Sequence, residues 1–89
     1  FIVWNNSQWG AVASATRGVY PDGWAVRTNN MPFTDLSPSI DFDESIMAAG
    51  GYGEKITSAD QVPGALQRAL HAVKVEKRQA VLNVIAAPR

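Results

Sequence analysis

Two stretches of this chain are apolar without alternation, and they constrain its fold more than any other feature. Phe1-Ile2-Val3-Trp4 is one; Val81-Leu82-Asn83-Val84-Ile85, broken only by Asn83, is the other. A strand with one wet face alternates polar and apolar residues. A run that does not alternate is covered on both faces, as in the parallel sheets of α/β proteins. Between the two runs the period changes. Val62, Leu66, Ala69, Leu70 and Val73 fall on one stripe of a helix. Lys74, Lys77 and Arg78 follow where the negative end of the helix dipole favours cations. Ser58 with Gln61 offers a capping box for its start. Asp60 is the alternative cap, and Pro63 favours it, because proline belongs in the first helical turn.

An earlier helix is expected after Asp41. Glu44 completes a capping box with it, Phe42, Ile46 and Ala49 share a face, and Gly50-Gly51 suits the left-handed end. Lys55-Ile56 is expected to begin a short strand, and residues 9–16 to form a short helix. Residues 18–40 show no clear period and contain the turn Tyr20-Pro21-Asp22-Gly23. A loop this long inside a compact domain is uncommon and tends to be functional. Its bulky residues Tyr20, Trp24 and Phe33 are expected to be exposed unless another segment covers them. The order of elements predicts a three-layer α/β/α domain with a parallel sheet. Two or three strands do not complete such a sheet, and the chain opens directly on an apolar run. Residues 1–89 are therefore expected to be the C-terminal part of a larger domain, the missing strands coming from upstream sequence or another copy.

Eight basic and eight acidic residues cancel, which disfavours nucleic acid or an anionic membrane as partner, since both select clustered positive charge. No apolar run approaches the roughly 20 residues of a membrane span, and no signal peptide is visible. A cytoplasmic protein is expected. Without cysteine, disulfides and thiolate metal sites are excluded.

The strongest chemical feature is Asn5-Asn6-Ser7-Gln8-Trp9-Gly10, directly after the first strand. Ligands of α/β sheets bind at the carboxyl ends of strands, Asn supplies neutral oxygen donors suited to Mg²⁺, and a following helix N-terminus accepts phosphate. A polar turn whose Asn residues cap the next helix explains the same residues. Other candidates are weaker. His71, the one histidine, lies away from the apolar stripe and is expected at the surface. Asp41, Asp43 and Glu44 fit helix capping and dipole matching. Gly50-Gly51-Tyr52-Gly53 follows a helix instead of a strand, so it reads as a helix end. Arg17 and Arg27 flank the long loop, where either can meet a carboxylate or phosphate, although solvated surface residues explain them too.

The ordered set of motifs resembles the C-terminal part of the thiamine diphosphate-binding domain of thiamine diphosphate-dependent enzymes of the acetolactate synthase and benzoylformate decarboxylase type. Phe1-Ile2-Val3-Trp4-Asn5-Asn6 is similar to the Asn-Asn end of the family's cofactor motif, which begins Gly-Asp-Gly. Asp41-Phe42 with Ala48-Ala49-Gly50-Gly51-Tyr52-Gly53, the segment from Thr57 through Leu70, and Ala80-Val81-Leu82-Asn83-Val84-Ile85 resemble the stretches that follow. The resemblance covers nearly the whole chain. It implies that Asn6 binds Mg²⁺ through its side-chain oxygen and Gln8 through its backbone carbonyl. It further implies that Trp9 and Gly10 offer N–H groups to the diphosphate, and that Asn5 orders the turn. The segment after Gly10 is implied to run beside the substrate pocket. The metal-binding Asp and the glutamate that activates the cofactor are implied to lie elsewhere, the latter on a partner subunit of a homo-oligomer, so no catalytic residue falls within residues 1–89. The implied activity is acetolactate synthase-like chemistry on a 2-keto acid, with thiamine diphosphate and Mg²⁺. The alternatives are a benzoylformate decarboxylase-like lyase, or an α/β interaction module that has lost the cofactor.

Overall fold

The computed structural model describes residues 1–31 and 34–87; Phe33 lies outside them. The elements in chain order are β1 (Ile2–Asn5), α1 (Gly10–Val19), α2 (Trp24–Thr28), α3 (Phe42–Ala48), β2 (Tyr52–Ile56), a 3₁₀ turn (Ala59–Gln61), α4 (Val62–Lys74) and β3 (Ala80–Ile85). Among the described residues they divide into two units: residues 1–5 with 40–86, and residues 6–31 and 34–39 with Ala87.

The first unit is a three-stranded sheet in the order β1-β3-β2. β1 runs parallel to β3, with Ile2 opposite Leu82 and Asn5 opposite Ile85. β2 runs parallel to β3 from Tyr52 opposite Ala80 to Ile56 opposite Val84. The two non-alternating runs are thus neighbours, and β3, the central strand, is buried from Ala80 through Val84 apart from a half-buried Val81. Side chains of a strand alternate between faces, and the helices divide accordingly. Ala80, Leu82 and Val84 pack with Ile56 against Ala65 and Ala69 of α4. Asn83 points the other way and meets Asp43 of α3. The sheet is flanked by helices on both faces.

α4 is turned from its expected orientation. Its buried residues are Ala65, Ala69 and Ala72, while Leu66, Leu70 and Val73 remain 37%, 51% and 46% exposed. The alanine face lets the helix lie close to the sheet, and the bulkier stripe is carried to its flank. On the same sheet face, Ile2 and Trp4 of β1 are also uncovered, and Phe1 shares a shallow cavity with Val73. The result is an apolar surface beside the edge strand.

Three other expectations change. Asp41 precedes α3 but makes no side-chain cap; its carboxylate takes the Lys55 ammonium at 2.6 Å instead. Gly50 does adopt the left-handed conformation, φ 87°, and ends the helix. Lys55-Ile56 closes β2 instead of opening it. Before α4 the Ser58–Gln61 capping box forms, with Gln61 Oε1 accepting the N–H groups of Thr57 and Ser58 at 3.0 and 3.2 Å; the Asp60 cap that Pro63 favoured does not.

On β2, Arg68 donates two 2.8 Å hydrogen bonds to the Glu54 carboxylate, and the Tyr52 hydroxyl donates a third at 2.7 Å. The Arg68 guanidinium holds the Glu54 carboxyl below its usual range; burial opposes it, and the Tyr52 hydroxyl adds a smaller lowering. A lowered folded-state value means the stabilisation is complete above the ordinary carboxylate range and is lost as pH falls through the lowered value. With Arg68 more than half exposed, the contribution is about 1 kcal/mol or less. Glu54→Gln should flatten the acid limb of a stability-versus-pH curve by that amount, and denaturant titrations at pH 7 and pH 3 measure it.

In the second unit, the stretch expected to be a long loop is partly helical. α1 extends to Val19, and α2 ends at Asn29 in the left-handed region, φ 52°, a conformation that Asn tolerates. Tyr20 and Trp24 are 66% and 76% exposed, as expected, and Arg27 sits over the Trp24 ring at 5.9 Å.

Candidate functional site

The Asn-Asn pair falls where β1 ends, and its two residues have different surroundings. Asn5 is the last residue of β1 and is buried. Its amide donates to Asn83 Oδ1 at 3.1 Å and to the Ile40 carbonyl at 3.3 Å. Its backbone carbonyl accepts the Ala86 N–H at 2.8 Å. Asn6 begins the second unit. Its Oδ1 accepts the backbone N–H of Gln8 at 3.2 Å, closing a side-chain turn around Ser7, which takes the left-handed conformation with φ 58°. Neither Asn caps α1: the residue at its start is Trp9, and no side-chain cap bond is made.

Gln8 forms an isolated antiparallel bridge with Asp35. The bonds of that bridge are Leu36 N–H to Ser7 carbonyl and Trp9 N–H to Thr34 carbonyl, each 2.8 Å. They flank Gln8 instead of including it, which makes Gln8 and Asp35 a non-hydrogen-bonded pair. The N–H and C=O of Gln8 therefore point away from Asp35, and on an extended residue they point to one side. The bond from the Gln8 N–H to Asn6 Oδ1 keeps the Asn6 side-chain oxygen beside the Gln8 backbone, and neutral oxygens are donors that a hard cation accepts. Gly10 is near both side chains: a Cβ built on it lies 3.4 Å from Asn6 Nδ2 and 3.5 Å from Gln8 Nε2.

Trp9 does not match its expected role as a donor, because its N–H goes to Thr34. The first-turn N–H groups of Gly10, Ala11 and Val12 precede the first helical donor, Ala13, whose N–H reaches Trp9 O at 3.0 Å. A polar cavity of about 510 Å³ has a lining that includes Ser7, Gln8, Arg17, Asn30 and Asp35. The Asp35 carboxyl is lowered by its hydrogen bonds from Ser37. Arg27 is not on this cavity. His71 is exposed and contacts Glu76 at 3.2 Å. Among the described residues no three His, Asp or Glu side chains gather into a metal cluster.

The hydrogen bonds that link Asn5 to Asn83 and Asn83 to Asp43 do not follow from the sequence pattern, in which Asn83 sits inside an apolar strand and Asp43 fits helix-dipole matching. A lone Asn in an otherwise apolar, doubly covered strand was the available signal, since a buried amide needs a partner.

Among the described residues, no helix is long and apolar enough to cross a membrane. Comparison with protein-family models, curated proteins and solved structures finds no match for this chain.

Proposed function

We propose that this chain carries one end of the Mg²⁺-diphosphate site of a thiamine diphosphate-dependent enzyme acting on 2-keto acids. The observation that carries the reading is the 3.2 Å bond from Gln8 N–H to Asn6 Oδ1, which keeps the Asn6 side chain beside the Gln8 backbone. The Asn6 side-chain oxygen and the Gln8 carbonyl are the donors that the resemblance to the family implies, and their neutral, hard character suits Mg²⁺. Asn6 and Gln8 would hold the metal; Gly10 and the next residues of α1 would bind the diphosphate through free N–H groups. When bound, the cofactor supplies the nucleophilic carbon and the electron sink for 2-keto acid chemistry. This chain's own residues bind and orient. Arg17 lines the polar cavity that Gln8 also lines, and in this reading it would receive a carboxylate.

The remaining metal ligand, the activating glutamate and most of the substrate pocket belong in this reading to other parts of the protein and to a partner subunit. The uncovered apolar residues Ile2, Trp4 and Leu70 support it, because such a surface is usually covered in the working protein.

Calorimetric titration of the full-length protein with thiamine diphosphate tests the reading. Binding is expected with Mg²⁺ present and is expected to disappear with EDTA. Absence of binding under every divalent cation would favour the interaction module instead.

A further inference from the structure

The polar cavity belongs wholly to the second unit, since the residues that line it fall between Ser7 and Ser37. Its volume of about 510 Å³ suits a small organic molecule, and pockets of that kind are ordinarily apolar with a few polar groups. Here the proportion is reversed: apart from Ala13 and Met31, the lining is polar.

Two opposite charges share the lining without pairing. Arg17, in the last turn of α1, forms no ion pair with a described residue, and neither does Asp35. Asp35 Oδ1 accepts the Ser37 N–H at 2.9 Å, and its hydrogen bonds from Ser37 keep the carboxyl ionised. A carboxylate offers about four acceptor positions, so Asp35 can take further donors. Asn29 and Asn30 add amides to the lining, each able to donate and to accept. The turn that carries them is set by its backbone: Asn29 takes the left-handed conformation, and the Asn30 N–H reaches the Ala25 carbonyl at 3.0 Å.

A solute with one anionic end and several hydroxyl groups satisfies such a lining. Its carboxylate matches Arg17, and its hydroxyls donate to Asp35 and exchange hydrogen bonds with the amides. A plain aliphatic acid would strip water from Asp35 and the amides and return no bonds. Sites built to hydrogen-bond hydroxyls discriminate strongly against an analogue that lacks them. A diacid would set its second carboxylate against Asp35.

We infer that this cavity binds a polyhydroxylated monocarboxylic acid, Arg17 taking the carboxylate and Asp35, Asn29 and Asn30 the hydroxyls. Gln8, a metal donor in the proposed function, lines the same cavity, so the substrate class becomes a 2-keto acid with a hydroxylated chain. That last step rests on the proposed function; the binding of the acid does not.

Calorimetric titration of the full-length protein in EDTA, without thiamine diphosphate, tests the inference with the metal site taking no part. The probes are D-gluconate, hexanoate and D-glucarate, which share a chain length and differ in their hydroxyls and in the second carboxylate. Gluconate should bind about tenfold more tightly than either of the others, or better. Arg17→Met keeps the stem of the side chain without its charge and should weaken gluconate binding by about tenfold or more. Asp35→Asn should raise glucarate affinity by about tenfold, a gain that a misfolded protein cannot show. No gluconate binding, or binding no tighter than that of hexanoate, overturns the inference. So does gluconate affinity that Arg17→Met leaves unchanged, or a preference over glucarate that survives Asp35→Asn. If the gluconate results are as expected and the protein takes up no thiamine diphosphate with Mg²⁺, the cofactor reading fails and the cavity assignment stands.

Discussion

Asn6→Ala is expected to weaken thiamine diphosphate binding in the presence of Mg²⁺ by about 100-fold or more, and Gln8→Ala by only a few-fold. The contrast follows from which atoms are used. Alanine at position 6 deletes the side-chain oxygen and also the acceptor that holds the Gln8 N–H at 3.2 Å, so one donor is lost and the other is released. Alanine at position 8 keeps both the N–H and the carbonyl. The Leu36 and Trp9 bonds that flank Gln8 are backbone bonds, so they survive as well. Titrating each full-length variant with cofactor at saturating Mg²⁺ gives the comparison. Equal large losses would contradict the assigned roles, and no loss for Asn6→Ala would remove the site.

Gly53→Ala should destabilise the first unit by about 3 kcal/mol, at the upper end for overpacking, lowering its melting temperature by roughly 15 °C. A Cβ on Gly53 would overlap the backbone oxygen of Asp43 and lie 2.8 Å from its carbonyl carbon. Main chain of α3 cannot swing aside as a flexible side chain does. Gly18→Ala is the control. It lies in α1 with nothing within 4 Å of the added carbon, so it should be neutral or stabilise by about 0.5–1 kcal/mol through helix propensity. Thermal melts followed by circular dichroism separate the two, and similar melting temperatures would show that β2 and α3 do not approach as closely as described.

The parallel pairing of β1 with β3 was legible in the sequence from two apolar runs without alternation, but cover on both faces, which that pattern predicts for each run, holds for β3 and not for β1, where Ile2 and Trp4 are exposed. The rotation of α4 was not legible. Its largest apolar residues, Leu66, Leu70 and Val73, suggest the buried face, whereas close approach to a sheet selects the small ones, Ala65, Ala69 and Ala72. Asp41 illustrates another limit. The spacing to Glu44 suits a capping box, but Lys55, adjacent only after β2 forms, takes the carboxylate. The role proposed for the Asn-Asn turn came from a family resemblance, and the spacing alone allowed a simple helix cap. What removes that cap is the pairing of Gln8 with Asp35, which joins residues across a stretch with no period.

The position of β3 in the middle of the sheet also orders the folding of the chain in time. β2, α4 and β3 are consecutive, so their contacts close short loops and can form early. Among the described residues β1 is hydrogen-bonded to β3, with Ile2 opposite Leu82, so closing that pair requires nearly all the intervening chain. During synthesis β1 leaves the ribosome well before β3 and waits for it. Asn5 acquires Asn83 only at that moment. A nascent or truncated chain ending before Ala80 therefore lacks both the β1–β3 pairing and the Asn5–Asn83 bond, however well its helices have formed.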